Sequence, residues 1–296
     1  MHMAMLVGPH VNRYHAPGER PALADHIETA RKEALAEAGV SIRAAAVFVG
    51  GPKNRTITLH PAERAPLRDY AARTGIRLIA HSSYAASPWQ GDKDAVRYIC
   101  EELDVCHEAG ISGLVVHLPK LPVASVMRHI GGLRGPAGVR VYLETPAVRP
   151  KESYYETPEK IAALFAEVRH ELDPGLDRFG LCVDTAHLWT CGIDLQAYEA
   201  ADAWLHRLEA VADVIPPAAV MLHLNDSLRP VGVGPDTHAG LAAGKIWEGY
   251  RDSLSASGLA AFADYARRHD TPTILERKPK ELLKNDYLVL RRLGAV

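Results

Sequence analysis

IRLIAHSSYAASPWQGDKDAVRYICEELDVCHEAGISGLVVHL, residues 76–118, holds one complete strand–helix–strand unit. Within it LIAH and LVVH are apolar runs without polar alternation, as expected of strands covered on both faces. The intervening GDKDAVRYICEELDVCHEAG has helical spacing and is long enough to cross over between parallel strands. Both runs end on a histidine, and the carboxyl end of such a strand is where chemistry is delivered.

The unit repeats outward in both directions. Strand-like runs occur at AMLVGPHV (4–11), IRAAAVFV (42–49), IRLIAH (76–81), GLVVHL (113–118), VRVYLET (139–145), GLCVDT (180–185), AVMLHL (219–224) and TPTILER (271–277). Helical patterns separate them, among them RPALADHIETARKEALAEAG, HPAERAPLRDYAARTG, SYYETPEKIAALFAEVRHEL, LQAYEAADAWLHRLEAV and SGLAAFADYARRHD. In the first of these, Pro21 suits the opening turn and Gly39 the C-terminal cap. Alternating strand and helix predicts a parallel sheet with right-handed crossovers. Eight units favour closure into a (β/α)8 TIM barrel over an open doubly wound sheet, and no GxGxxG opens the first unit. The 296 residues suit one such barrel, so 1–296 is read as a single domain. GGLRGPAG at 131–138 is read as a loop on the barrel's amino-terminal face.

Composition narrows the partners. A formal charge of −2 gives no bulk attraction to nucleic acid or anionic membrane, so a polyanion must be held by a local basic surface or by metal. No apolar run reaches the roughly 18 residues of a membrane span, and the N-terminus lacks the basic segment and apolar core of a signal peptide. Cys100, Cys106, Cys182 and Cys191 have no CxxC spacing, and reduced thiols in an intracellular compartment are expected.

Six consecutive runs, LIAH, LVVH, VYLE, LCVD, VMLH and TILE, end on a metal-ligand residue type: His81, His117, Glu144, Asp184, His223 and Glu276. His187 lies three residues after Asp184, and Asp236 with His238 forms a DxH in the glycine-flanked loop GVGPDTHAG. Each residue has a plainer reading. His81 and His117 would serve as hydrogen-bonded core histidines, and Asp184 would cap a helix starting near Thr185. Glu144 and Glu276 resist that treatment, because a carboxylate ending a buried strand must be paired or metal-bound. Five imidazoles with four carboxylates suit Zn2+, Mn2+ or Fe better than Mg2+ or Ca2+, and nine ligands suffice for three ions. Such a cluster is suited to hydrolysing a phosphodiester.

These segments resemble the endonuclease IV family of apurinic/apyrimidinic endonucleases, from GPHVN in the first strand to ILERKP in the last. HSSYAAS is similar to the family's His-x-x-Tyr segment. CVDTAHLWTCGIDL resembles its Asp-Thr-x-His-x-x-x-x-Gly-x-Asp-Leu signature, and MLHLNDS with GPDTHAG its His-Leu-Asn-Asp-Ser and Asp-x-His pair. The resemblance implies that His81 and His117 bind a first zinc and that Glu144 bridges it to a second. Asp184, His223 and Glu276 would complete the second ion, and His187, Asp236 and His238 would hold a third. Glu144, Asp184 and Glu276 are the carboxylates it places in catalysis. The implied reaction cuts 5′ to an abasic site in double-stranded DNA, leaving a 3′-hydroxyl and a 5′-deoxyribose phosphate; relatives also trim blocked 3′ ends. The loops depart from the family: TPAVRP follows Glu144, LPK follows His117, Thr237 replaces an arginine, and AAGKIW stands at 242–247.

For DNA, the GGPKNR loop with Lys53, Asn54 and Arg55 resembles one that reaches into the duplex, and Tyr84 resembles a tyrosine beside the abasic pocket. Lys120, Arg149, Lys151, Arg229, Lys245, Arg277, Lys278 and Lys280 would add a basic rim. His10 is expected beneath the metals, orienting a ligand. Trp89, Trp189 and Trp247 are read as packing residues. One barrel with one site suffices for a monomer. The rival readings are a metal-dependent sugar isomerase or epimerase, for which the DxxH and DxH clusters would be surplus, and a non-catalytic DNA-binding relative.

Overall fold

Eight of the chain's strands are short, apolar and parallel, and they pair into a closed ring. In chain order the strands are β1 (Val7–Val11), β2 (Ala44–Val47), β3 (Arg77–His81), β4 (Gly113–His117), β5 (Arg140–Glu144), β6 (Phe179–Asp184), β7 (Val220–His223), β8 (Asp226–Ser227), β9 (His238–Ala239) and β10 (Thr273–Leu275). The ring runs β1-β10-β7-β6-β5-β4-β3-β2, while β8 and β9 form a small antiparallel ribbon outside it. The structure, a computed structural model, describes residues 4–11, 22–147, 154–277 and 280–296. It is a single (β/α)8 TIM barrel, with all eight barrel strands at the expected runs.

Strand alternation explains how the barrel builds its site. Leu6, Ala44, Ala46, Ile79, Val115, Tyr142, Cys182, Met221 and Ile274 pack together as a separate buried cluster inside the ring. Successive side chains on a strand point to opposite faces, so residues two further along face inward as well. Stepping two from Ala46, Ile79, Val115, Tyr142, Cys182, Met221 and Ile274 gives Phe48, His81, His117, Glu144, Asp184, His223 and Glu276. In β1, two beyond Gly8 stands His10. The rim layer is therefore polar everywhere except Phe48, and it rests on an apolar floor. Register aligns this layer, pairing His117 with Glu144 and Asp184 with His223 on neighbouring strands.

The floor is tightly filled around Tyr142. A Cβ on Gly113 would lie 2.4 Å from Tyr142 Cε2, and one on Gly180 would lie 2.8 Å from Cε1. Large and small inward positions thus interlock between β4, β5 and β6. Gly113→Ala is expected to destabilise the barrel by about 1–3 kcal/mol through overpacking. Urea unfolding midpoints check this, and an unchanged midpoint would mean that the floor can repack.

Helices α1 (Leu23–Ala38), α2 (Pro61–Thr74), α3 (Lys93–Glu108), α4 (Val123–Ile130), α5 (Pro158–Glu171), α6 (Thr185–Thr190), α7 (Tyr198–Glu209), α8 (Gly258–His269) and α9 (Lys280–Arg292) surround the ring. Their apolar faces and the outward strand residues form the larger core. Gly39 closes α1 at φ 67°, a left-handed conformation that glycine adopts without strain. Pro21 lies outside the described residues. The 131–138 loop joins α4 to β5, on the face opposite the polar rim. Among the described residues no helix is long and apolar enough to cross a membrane.

Candidate metal centre

Three overlapping groups of ligand atoms occupy the rim. The first is His81, His117 and Glu144, from the ends of β3, β4 and β5. His81 Nε2 lies 3.1 Å from His117 Nε2 and 3.4 Å from Glu144 Oε2, and His117 Nε2 lies 2.8 Å from the same oxygen. Two donors each 2.0–2.1 Å from a tetrahedral zinc stand about 3.3 Å apart, so these three atoms have the spacing of a shared cation. Glu144 turns its other oxygen to the second group: Oε1 is 2.7 Å from His223 Nδ1. Around that nitrogen lie Glu276 Oε2 at 3.5 Å and Asp184 Oδ2 at 3.9 Å.

The third group draws on elements beyond the strand ends. Asp184 caps α6, its Oδ1 accepting the His187 amide at 2.9 Å, and that short helix carries the His187 ring into the site. The capping and ligand readings of Asp184 are therefore compatible, since Oδ2 still faces His238 Nε2 at 3.8 Å. The β8–β9 ribbon delivers Asp236 and His238. Asp236 Oδ2 lies 3.0 Å from His238 Nε2 and 3.5 Å from His187 Nε2.

Backbone carbonyls orient two of the imidazoles. His81 Nδ1 donates to Ser82 O and His187 Nδ1 donates to Thr145 O, each at 2.7 Å. A carbonyl can only accept, so in both rings Nε2 is the atom left to bind a cation, an arrangement usual for histidine ligands. Thr145 also takes the Asp184 amide on its Oγ1 at 3.0 Å. Among the described residues, no lysine or arginine forms an ion pair with Glu144, Asp184, Asp236 or Glu276. Burial opposes charge on Glu144, yet His117 and His223 hold its carboxyl well below the usual range. Burial likewise opposes protonation of His187, but Asp184, Asp236 and Glu144 raise it well above the ordinary histidine value. The cluster thus draws positive charge inward, and its donor set fits borderline divalent cations. Cys182 sits within ligand range of Glu144 and His223, and in the metal-free protein burial pushes its thiol up to about 12.

His10 lies beside Glu276 in the rim layer, its Nδ1 3.5 Å from Oε1, and its ring packs 4.6 Å from Phe48. Tyr84 is 56% exposed and stands over the first group, its ring 5.1 Å from His81 and 5.6 Å from His117. Beside it opens a cavity of about 240 Å³ lined by His81, Tyr84, Trp89 and His117. Lys53 and Asn54 are exposed at the tip of their loop. Arg55 turns back instead, donating to Ala85 O and to Asp92, the cap of α3. Trp89, Trp189 and Trp247 are buried, each donating its ring N–H to a backbone carbonyl.

One rim expectation is overturned. Arg277 is buried, paired through Nε with Asp286 Oδ2 at 2.9 Å, because α9 presents a carboxylate where solvent was expected. Arg149, Lys151 and Lys278 lie outside the described residues, as does the side chain of Lys280. Asn225, Thr145 and Phe48 touch the site although the sequence reading assigned them no role. Only Asn225, inside MLHLNDS, carried a signal.

Comparisons with known proteins agree with this geometry. Residues 32–292 match the family described as xylose isomerase-like TIM barrel. A probable AP endonuclease of African swine fever virus is 37% identical over 81% of this chain and 80% of its own length. The crystal structure of AsfvAP:AG superposes with a TM-score of 0.92 at 31% identity, covering 99% of this chain and 100% of that one. Endonuclease IV from Thermus thermophilus shares the fold, with a TM-score of 0.70 at 24% identity over 98% of this chain and 97% of that one. The chain belongs to the endonuclease IV family of AP endonucleases, within the xylose isomerase-like TIM barrels.

Proposed function

We propose that the protein is a metal-dependent AP endonuclease acting on double-stranded DNA, cutting 5′ to an abasic site to leave a 3′-hydroxyl and a 5′-deoxyribose phosphate. Three zinc ions are its proposed cations, with manganese or iron compatible with the same donors. The observation that carries the reading is the overlap of three ligand groups through Glu144 and Asp184 on one rim. His81, His117 and Glu144 would hold the first ion. Glu144, Asp184, His223 and Glu276 would hold the second, and His187, Asp236 and His238 the third.

When bound, such cations polarise phosphoryl oxygens and allow water to ionise near neutral pH. The chain's own groups fit a reaction in which water is the nucleophile. Ser82 Oγ is committed to Glu102 and Thr185 Oγ1 to Asn225 O, so neither hydroxyl is poised for attack. Tyr84, exposed over the first ligand group, would wall the sugar, and the exposed Lys53 and Asn54 would meet phosphates. An abasic nucleotide has no base to unstack, so drawing it to the rim costs less than flipping an intact one. A sugar isomerase would leave His187, Asp236 and His238 without work.

The test is metal analysis together with nicking of a duplex bearing one tetrahydrofuran abasic analogue. About three ions per chain and a single cut 5′ to the analogue are expected; a fully loaded protein that leaves the duplex intact would defeat the proposal. Loading should also depend on pH. His187, His223 and His238 titrate above the ordinary histidine value in the metal-free protein, despite burial that opposes their charge. Protons then compete with cations already above that value, so affinity should fall as pH drops through neutrality. Equal zinc affinity at pH 8 and pH 6 would contradict this.

A further inference from the structure

Behind the ligands lies a buried polar chain that the reaction does not touch. Asn225 lies two residues beyond β7, directly before β8, and is fully buried. Its Nδ2 donates to Asp184 Oδ2 at 2.6 Å and to Glu276 Oε2 at 3.2 Å, the two oxygens nearest His223 Nδ1 in the second group after Glu144 Oε1. Its Oδ1 accepts from Arg277 Nη1 at 2.7 Å and from the Glu276 amide at 3.2 Å. Two donors and two acceptors are all used, so the amide has one orientation; flipped, it would set oxygen against two carboxylates and N–H against a guanidinium. Thr185 Oγ1 fixes the Asn225 backbone as well, donating to its carbonyl and accepting from its amide.

The guanidinium is held by the helix that follows it in sequence. Asp286 on α9 takes Arg277 Nε through Oδ2, while its Oδ1 accepts the Leu241 amide at 2.6 Å. Arg277 Nη1 also donates to Glu276 O at 2.9 Å. A permanent cation next in sequence to Glu276 would compete with any metal for that carboxylate unless it were bound elsewhere. Asp286 binds it elsewhere, and the Asn225 amide stands between the guanidinium and both ligand carboxylates.

We propose that Asn225, held by the buried Arg277–Asp286 pair, is a positioning residue that sets Asp184 and Glu276 to receive the second cation and keeps the guanidinium off them. This rests on the metal-centre reading. The helix α9 is thereby coupled to occupancy of the metal site.

The test compares Asn225→Ala and Asp286→Asn with the parent protein by equilibrium dialysis in chelator-buffered zinc. It adds melting midpoints with and without zinc. Both variants should bind one ion about 10–100-fold more weakly, the usual cost of losing a ligand's supporting contact, with a smaller zinc-induced rise in midpoint. Affinities within twofold of the parent, or midpoints that fall equally with and without zinc at unchanged affinity, would overturn the proposal and leave a structural role. If Asn225→Ala does not fold, the isosteric Asp286→Asn decides on the same readouts. A parent protein that binds no zinc would instead overturn the metal-centre reading, and this inference with it.

Discussion

Glu144→Gln is expected to abolish nicking of an abasic-site duplex, by at least about 10³-fold, the upper cost of losing a single electrostatic contact in other active sites. The two oxygens of Glu144 face two ligand groups, Oε2 toward His81 and His117, Oε1 toward His223. Glutamine keeps the volume, so the floor beneath, Tyr142 included, is undisturbed. Its amide must however turn an NH2 toward one group or the other, placing a donor where a cation needs an electron pair. Metal content should therefore fall together with activity, while the far-ultraviolet circular dichroism of the barrel persists. Wild-type nicking by a fully metal-loaded Glu144→Gln protein would remove the bridging role and with it the reading of a shared multinuclear site.

The reason this residue was legible in sequence is local. VYLE is a run buried on both faces that ends on a carboxylate, and burial of an unpaired carboxylate is too costly to be incidental. The same logic exposed His81, His117, Asp184, His223 and Glu276, because inward alternation carries each strand's last residue onto the rim. His187, Asp236 and His238 needed more than strand logic. Their spacing, DxxH and DxH, marked them without showing that a six-residue helix and a two-stranded ribbon present them.

What stayed hidden depends on contacts distant in sequence. Arg277 is the exception: its partner Asp286 is near in sequence, but only the fold of α9 turns that carboxylate back onto the guanidinium. Arg55 reads as a free basic residue until Asp92, 37 residues on, is seen to take its guanidinium. Asn225 sits in a recognisable motif, but its role follows from geometry with Asp184, 41 residues earlier, and Glu276, 51 residues later. The helix α6 gave no amphipathic signal because all six of its residues are buried. Periodicity reports burial of one face, and it is silent where an element is enclosed on every side.

The third ligand group offers the other large effect, and two variants isolate it. Asp236→Ala and His187→Ala should each lower nicking by about 10²–10³-fold, if losing this group costs what losing one stabilising contact does elsewhere. Metal content should fall by one ion per chain, since the first two groups are built on β3, β4, β5, β6, β7 and β10 and contain neither residue. The variants differ in their cost to the fold. The His187 side chain is 5% exposed and its loss leaves Thr145 O without its donor, a penalty of about 1–3 kcal/mol. Asp236 is 24% exposed on the ribbon loop, so its removal should barely move the unfolding midpoint. Activity lost in both but stability lost in only one separates a defect of the site from a defect of the barrel. Full nicking by both variants would show that this group does not serve the reaction, and the two groups joined by Glu144 would then have to suffice.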